Sequence, residues 1–234
     1  MKIALTTYGA RELWGCSVLL AAAMAVMALL VAWVGWWLAP LWLAPAAVWA
    51  WVLWFFRDPE RTAPVGEGLF LSPADGNVAD ITPVGPDSEL GRDGVKIGVF
   101  MNVFSVHVNR SPFAGRVTDV TRRKGAFLDA RDPTATERNE SATVTMTCAL
   151  GGKEFPIVFR QIAGLVARRI VTELKPGDVL ERGQRFGMIK FGSRMELFVP
   201  REMAADVPVT IGQKVHAGLT VLVRGPGISL GENP

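Results

Sequence analysis

The hydrophobic pattern divides this chain into two unequal parts. From Leu13 to Phe56 there are 44 consecutive residues without an Asp, Glu, Lys, Arg or His. As a single helix that run would be ~66 Å long, about twice the ~30 Å hydrocarbon layer of a bilayer. Gly35, Pro40 and Pro45 interrupt it near the middle, so the pattern predicts a transmembrane hairpin of two helices, at 15–38 and 42–56, in an anchor formed by residues 1–56. A secretory signal peptide is the competing reading, but its apolar core spans only ~7–15 residues. All eight tryptophans fall in the run. A hairpin would set Trp33–Trp42 at one lipid–water boundary and Trp49–Phe56 at the other, as aromatic belts do.

From residue 57 the pattern changes. The linker Arg57–Gly68 holds Pro59, Pro64 and two glycines, and short apolar runs separated by Gly, Pro and Asp follow it. Val95–Val108, Ala142–Leu150, Phe155–Gln161, Phe186–Phe191, Met195–Val199 and Leu219–Val223 read as strands. Helical periodicity is weak, and the places open to a short helix are after Pro112 and near Gly164–Arg169. Two stretches resemble one another: Gly177-Asp-Val-Leu-Glu-Arg-Gly183 and Gly212-Gln-Lys-Val-His-Ala-Gly218 each end six residues after they begin and lead into a strand. Glycines so spaced supply positive φ at paired turns. The pattern looks like the barrel-sandwich architecture of biotinyl and lipoyl carrier domains. The expected fold is therefore mostly β (α+β), a barrel-sandwich-like domain over residues 57–234 behind an N-terminal transmembrane helical hairpin. Those carriers present a modified lysine at a hairpin tip, whereas here Lys190 is followed by Phe191-Gly192-Ser193.

Charge adds a direction to this picture. Lys2 and Arg11 precede the apolar run, Arg57 and Arg61 follow it, and its middle is uncharged. Positive charge at both ends predicts that both lie in the cytoplasm, with residues 57–234 on the cytoplasmic side of the inner cell membrane. A hairpin that enters and leaves one leaflet leads to the same side. The net charge of +3 is too small to predict a nucleic-acid partner. Arg122-Arg123-Lys124 and Arg168-Arg169 suit either anionic headgroups or ordinary solvated loops. Cys16 and Cys148 give neither a disulfide framework nor a metal-binding spacing, which fits a reducing compartment and a site without metal.

Three residues carry candidate chemistry. Gly192-Ser193 lies between two strand-like runs and predicts a tight turn or bulge, a role that such a pair fills in most proteins. His107 is one of two histidines and sits among apolar residues at a strand end, where a satisfied core histidine is the plain reading. Asp75, in Ser72-Pro-Ala-Asp-Gly76, is equally well explained as half of an Asp-Gly turn. Together they are the parts of a Ser-His-Asp arrangement, in which histidine takes the hydroxyl proton and the acid orients the imidazole. Spacing alone does not bring them into contact.

Four ordered stretches carry a resemblance. Pro73-Ala-Asp-Gly76, Phe100-Met-Asn-Val-Phe-Ser-Val-His-Val-Asn-Arg-Ser-Pro112, Gln161-Ile-Ala-Gly-Leu-Val-Ala-Arg-Arg-Ile170 and Phe186-Gly-Met-Ile-Lys-Phe-Gly-Ser193 resemble the successive motifs of the short-form phosphatidylserine decarboxylases, and membrane-bound members also carry a hydrophobic hairpin in front. The resemblance implies a proenzyme that cuts itself between Gly192 and Ser193. The Ser193 hydroxyl attacks the Gly192 carbonyl, with His107 as base and Asp75 behind it. The products are a chain 1–192 and a chain 193–234 that begins with a covalent pyruvoyl group made from Ser193. No external cofactor is implied. That ketone serves to decarboxylate membrane phosphatidylserine, with His107 as candidate proton donor. Larger members carry Leu-Gly-Ser-Thr at the cut, where Phe191 and Arg194 flank Gly192-Ser193 here, and some have a second histidine where this chain has Phe104. Thr136-Glu-Arg-Asn139 resembles a family Asn-Glu-Arg-Asn stretch and receives no role.

Two other functions fit parts of the pattern. A pyruvoyl decarboxylase of a soluble amino acid would give no reason for a membrane hairpin. A membrane-tethered barrel-sandwich adaptor would use the fold without the chemistry. The sequence leaves room for a homo-oligomer.

Overall fold

An uncharged run with no water to bond must satisfy its own amides, and helices do so within the segment. In the computed structural model, which describes residues 4–132, 134–165, 169–190 and 192–226, the N-terminal run forms α1 (Ala10–Val34) and α2 (Leu43–Phe55), joined by a 3-10 stretch, Trp36–Trp42, that contains Pro40. Both helical stretches are long and apolar enough to cross a membrane. The first helix begins earlier than the predicted 15–38, and it also ends earlier because Gly35, at φ +142°, leaves the helical region before the prolines are reached. The run returns on itself: Thr6 N–H donates to the Phe56 carbonyl at 2.9 Å, Asp58 N–H donates to the Ala4 carbonyl at 2.7 Å, and the Trp49 indole donates to Ser17 Oγ at 3.2 Å. The chain divides into two compact units, Met1–Glu60 and Arg61–Pro234.

The second unit is mostly β. Among its described residues the strands are β1 (Leu69–Leu71), β2 (Gly76–Val84), β3 (Gly94–Met101), β4 (Val108–Arg110), β5 (Gly115–Arg123), β6 (Ser141–Leu150), β7 (Lys153–Ile162), β8 (Ile170–Thr172), β9 (Val179–Leu180), β10 (Arg185–Ile189), β11 (Ser193–Pro200), β12 (Lys214–Val215) and β13 (Val221–Arg224). One antiparallel sheet, in the order β12-β2-β3-β11-β7-β6-β5-β9, curls into a half-barrel. A three-stranded sheet, β4-β10-β8, and the pair β1-β13 complete the unit. Alternation sends Met195, Leu197 and Val199 of β11 into one core with Val144 and Met146 of β6 and Ile157 and Phe159 of β7. Phe70, Phe113 and Phe155 close it, the first two stacked with ring centroids 4.5 Å apart.

Two expectations need correction. The run Val95–Val108 is broken between β3 and β4, because the Asn102 carboxamide accepts the Phe104 N–H at 2.9 Å and its carbonyl accepts the Ser105 N–H at 3.0 Å, which turns the chain. The segment after Pro112 is the strand β5; the short helix α3 (Ala135–Arg138) stands later. The other helix position, Gly164–Arg169, lies partly outside the described residues, and Phe191, the end of the predicted strand Phe186–Phe191, lies outside them.

The glycine repeat is half of a larger internal duplication. Ser72-Pro-Ala-Asp-Gly-Asn-Val78 and Ser111-Pro-Phe-Ala-Gly-Arg-Val117 occupy equivalent places. Each serine hydroxyl donates to the carbonyl two residues on at 2.7 Å. Gly218 N–H donates to the Ser72 carbonyl and Gly183 N–H to the Ser111 carbonyl, both at 2.8 Å. The halves cross-link reciprocally, Leu71 N–H to the Pro112 carbonyl at 2.8 Å and Arg110 N–H to the Pro73 carbonyl at 3.0 Å. Position 75 breaks the symmetry, since Asp75 has Ala114 as its counterpart.

On the other face of the large sheet, Arg194 and Glu196 of β11 meet Lys96 and Arg160. Arg160 Nε donates to Glu196 Oε2 and Arg194 Nε to Oε1, each at 3.0 Å; Thr136 Oγ1 of α3 donates to Oε1 at 3.0 Å, and Lys96 Nζ lies 3.8 Å away. Burial would raise the Glu196 carboxyl, but the charges of Arg160 and Arg194 and the bonds they donate hold it below the usual carboxylate range. A carboxyl depressed in the fold stabilises it above the unfolded pKa of ~4.3 and loses that contribution as pH falls through the folded value. In an uncut background, Glu196→Gln is expected to cost about 3 kcal/mol at pH 7 and to flatten the loss of stability below pH ~4.5, measured by urea unfolding.

Candidate active site at the Gly192–Ser193 turn

Antiparallel pairing places the first residue of β11 opposite the last of β3, so Ser193 faces Met101. Its side chain takes the core-facing direction shared with Met195 and is fully buried. Its hydroxyl lies 3.3 Å from Met101 Sδ. A thioether is a weak acceptor, and a serine serving only a turn ordinarily bonds a backbone group, so among the described residues this hydroxyl has a weak partner where a strong one is usual. Gly192 enters the strand at φ +66°, a left-handed conformation that an L side chain adopts at a cost.

The Asn102 turn delivers His107 to the same region. The His107 ring is fully buried, and its Nδ1 lies 2.9 Å from the Ser105 carbonyl oxygen. A carbonyl only accepts, so Nδ1 carries the proton and the lone pair of the neutral ring is on Nε2, the form a general base requires. The His107 carbonyl accepts the Ile189 N–H at 3.4 Å, which sets this residue beside the end of β10, three positions before Gly192. Asn109, two residues on, accepts from Gln161 Nε2 at 2.9 Å and directs its own amide to the Pro73 carbonyl at 3.5 Å and to Met101 Sδ at 3.9 Å. All four quoted stretches thus meet around Met101, the methionine that Ser193 faces.

Asp75 is held in a different way from that expected. Among the described residues its partners are the Arg61 guanidinium, which donates to both carboxylate oxygens with one bond of 2.9 Å, the Ala217 N–H at 2.8 Å and His216 Nδ1 at 3.4 Å. Burial would raise this carboxyl, but Arg61 and the Ala217 amide hold it below the usual range. His107 is not in that set. The two are linked instead through the chain, because Pro73 accepts the Arg110 N–H at 3.0 Å just beyond His107.

Four participants carry no signal strong enough to single them out in the sequence. Met101, Asn109 and Gln161 read as ordinary strand residues, and Arg61 reads as a charge flanking the apolar run. Only the pairing of distant strands gives them a place here.

A family model described as phosphatidylserine decarboxylase matches residues 48–223. A phosphatidylserine decarboxylase proenzyme of Syntrophus aciditrophicus is 46% identical over 182 residues, covering 78% of this chain and 82% of that one. One of Rhodopirellula baltica is 44% identical over 200 residues, 85% and 80% of the two chains, and one of Paramagnetospirillum magneticum is 47% identical over 186 residues, 78% and 75%. With a match that spans both glycine repeats, the His107 turn and the Gly192–Ser193 junction at this level of identity, the chain belongs to the phosphatidylserine decarboxylase family.

Proposed function

We propose that this chain converts phosphatidylserine to phosphatidylethanolamine and CO₂ after cutting itself between Gly192 and Ser193. The observation that carries the self-cutting is the buried Ser193 hydroxyl, which rests on a thioether directly after a glycine carbonyl. His107 Nε2 takes the hydroxyl proton as Oγ attacks the Gly192 carbonyl carbon. The C–N bond breaks, the proton passes to the departing nitrogen, and an ester joins Gly192 to Oγ. Loss of the Cα proton of residue 193 then expels the Gly192 carboxylate. The remaining dehydroalanine tautomerises to an imine, and water releases its nitrogen as ammonia. The pyruvoyl group left at position 193 supplies a ketone that accepts electrons as CO₂ departs.

The chain's own residues do the rest. The ladder from Ser193 to Pro200 pairs with β3, and Arg194 to Phe198 also pair with β7, so residue 193 keeps its place once the peptide is cut. His107 remains beside β10 to return a proton to the product. Asp75 acts at one remove by fixing the Pro73 loop against β4. The two apolar helices hold the enzyme at the membrane that contains its substrate, with the catalytic unit on the cytoplasmic side. A water-soluble substrate would leave such helices without a purpose.

The test is an intact-mass spectrum of the purified protein with a borohydride arm. The expected result is two pieces, residues 1–192 and residues 193–234. The smaller has no free amino terminus, gains mass with borohydride, and loses activity on phosphatidylserine vesicles. An active enzyme whose chain is whole at Gly192–Ser193 would overturn this reading.

A further inference from the structure

We infer that Gly164 and Asn139 are positioning residues for the self-cleavage, holding the Gly192 carbonyl where the Ser193 hydroxyl can reach it. This inference rests on the proposed cut at Gly192–Ser193. The loop after β7 lies against that bond: a methyl group built on Gly164 would overlap the Gly192 carbonyl oxygen and come within 3.0 Å of its carbonyl carbon. Any other residue at 164 would push the scissile carbonyl out of its present orientation. The same methyl would lie 3.4 Å from Ala130 Cβ, so the loop has no easy retreat on that side.

The loop is pinned from behind by the stretch to which the sequence assigned no role. Asn139 is fully buried at the end of α3. Its Nδ2 donates to the Ala163 carbonyl at 2.8 Å and to the Leu128 carbonyl at 2.9 Å, while its Oδ1 accepts the Leu128 N–H at 2.9 Å. Next to it the Glu140 carbonyl accepts the Ala163 N–H at 2.9 Å. Both polar groups of Ala163 are therefore tied to residues 139–140, and the residue that follows is the glycine against the scissile carbonyl. All three bonds of a buried carboxamide go to backbone groups, so the side chain has no conformational choice left.

Attack on an amide carbonyl needs the nucleophile within about 3–3.5 Å on an aligned path, and a misplacement of ~1 Å costs about 100-fold. Gly164→Ala in the full-length chain is expected to slow the conversion of the 25.4 kDa precursor into two pieces about 100-fold, followed by intact mass against time. Asn139→Asp, which turns the Nδ2 donor into an acceptor facing two carbonyls, is expected to slow it at least ~10-fold. Hydroxylamine splits an ester and leaves an amide, so it should release little fragment from either variant if the first acyl shift is the step lost. Each change is repeated on Ser193→Ala, where nothing is cut and thermal unfolding reports the fold alone. A midpoint that stays well above the assay temperature, so that the chain is folded where cutting is measured, supports positioning.

Cutting at the wild-type rate in Gly164→Ala would overturn the inference. So would a slow cut in a variant whose Ser193→Ala counterpart is unfolded at the assay temperature, or ester that accumulates for hydroxylamine to split. A wild-type chain that does not cut at Gly192–Ser193 would instead sink the reading on which the inference stands.

Discussion

Ser193→Ala is expected to yield one uncut chain of 25.4 kDa with activity on phosphatidylserine vesicles down at least ~1,000-fold. The loss comes from chemistry. In the proposed mechanism the hydroxyl is both the nucleophile of the cut and the source of the pyruvoyl ketone, so one missing oxygen would remove two functions. The fold should survive, because the only hydrogen bond described for that oxygen is to a thioether and the strand ladder is carried by backbone groups. The checks are an intact-mass spectrum, an activity assay and a circular dichroism spectrum that superimposes on that of the parent. Ser193→Cys is expected to cut slowly, since a thiol makes the same acyl shift. A Ser193→Ala chain that still appears as two pieces, or still decarboxylates, would remove Ser193 from the mechanism.

His107→Ala should leave most of the precursor whole, with cleavage slowed ~100- to 10,000-fold, the usual contribution of a positioned general base. The ring is buried and its Nδ1 is directed to the Ser105 carbonyl, so the substitution also leaves a cavity and an acceptor without its donor. His107→Gln separates the two effects: its amide can donate to the same carbonyl but does not act as a base at neutral pH. Slow cutting in both variants, with a near-normal melting midpoint for the glutamine one, assigns the loss to proton transfer. Rapid cutting in His107→Gln would show that the imidazole is not the base. Asp75→Asn should act more mildly, because it weakens the Arg61 clamp while the His107 turn remains.

Much of the molecule was legible along the chain. The uncharged run Leu13–Phe56 dictates helices wherever it is placed, since amides without water bond most cheaply within their own segment. The runs that became β6, β7 and β11 are visible as short apolar stretches set off by Gly, Pro and charged residues, and β6 adds the period of two that a half-buried strand leaves. β2 and β5 carry no such signal: each has a bulge and several exposed polar positions, which breaks that period. The resemblance pointed to Ser193 and His107, but local pattern gave them only the plain readings of a turn and a core histidine.

Long-range contact decided the remainder. Asn139 looks like any polar residue after a charged turn, and its importance lies in a bond to Ala163, 24 positions away. Gly164 reads as loop glycine until the Gly192 carbonyl is placed against it. Asp75 reads as an acid for His107 until Arg61, Ala217 and His216 are brought around it. The sequence by itself determined where the apolar helices lie, that the rest is mostly β, and which serine follows which glycine, because those are properties of composition and local period. Only the tertiary structure decided what stands beside the Gly192–Ser193 bond, because strand pairing brings together residues whose spacing in the chain carries no periodic signal.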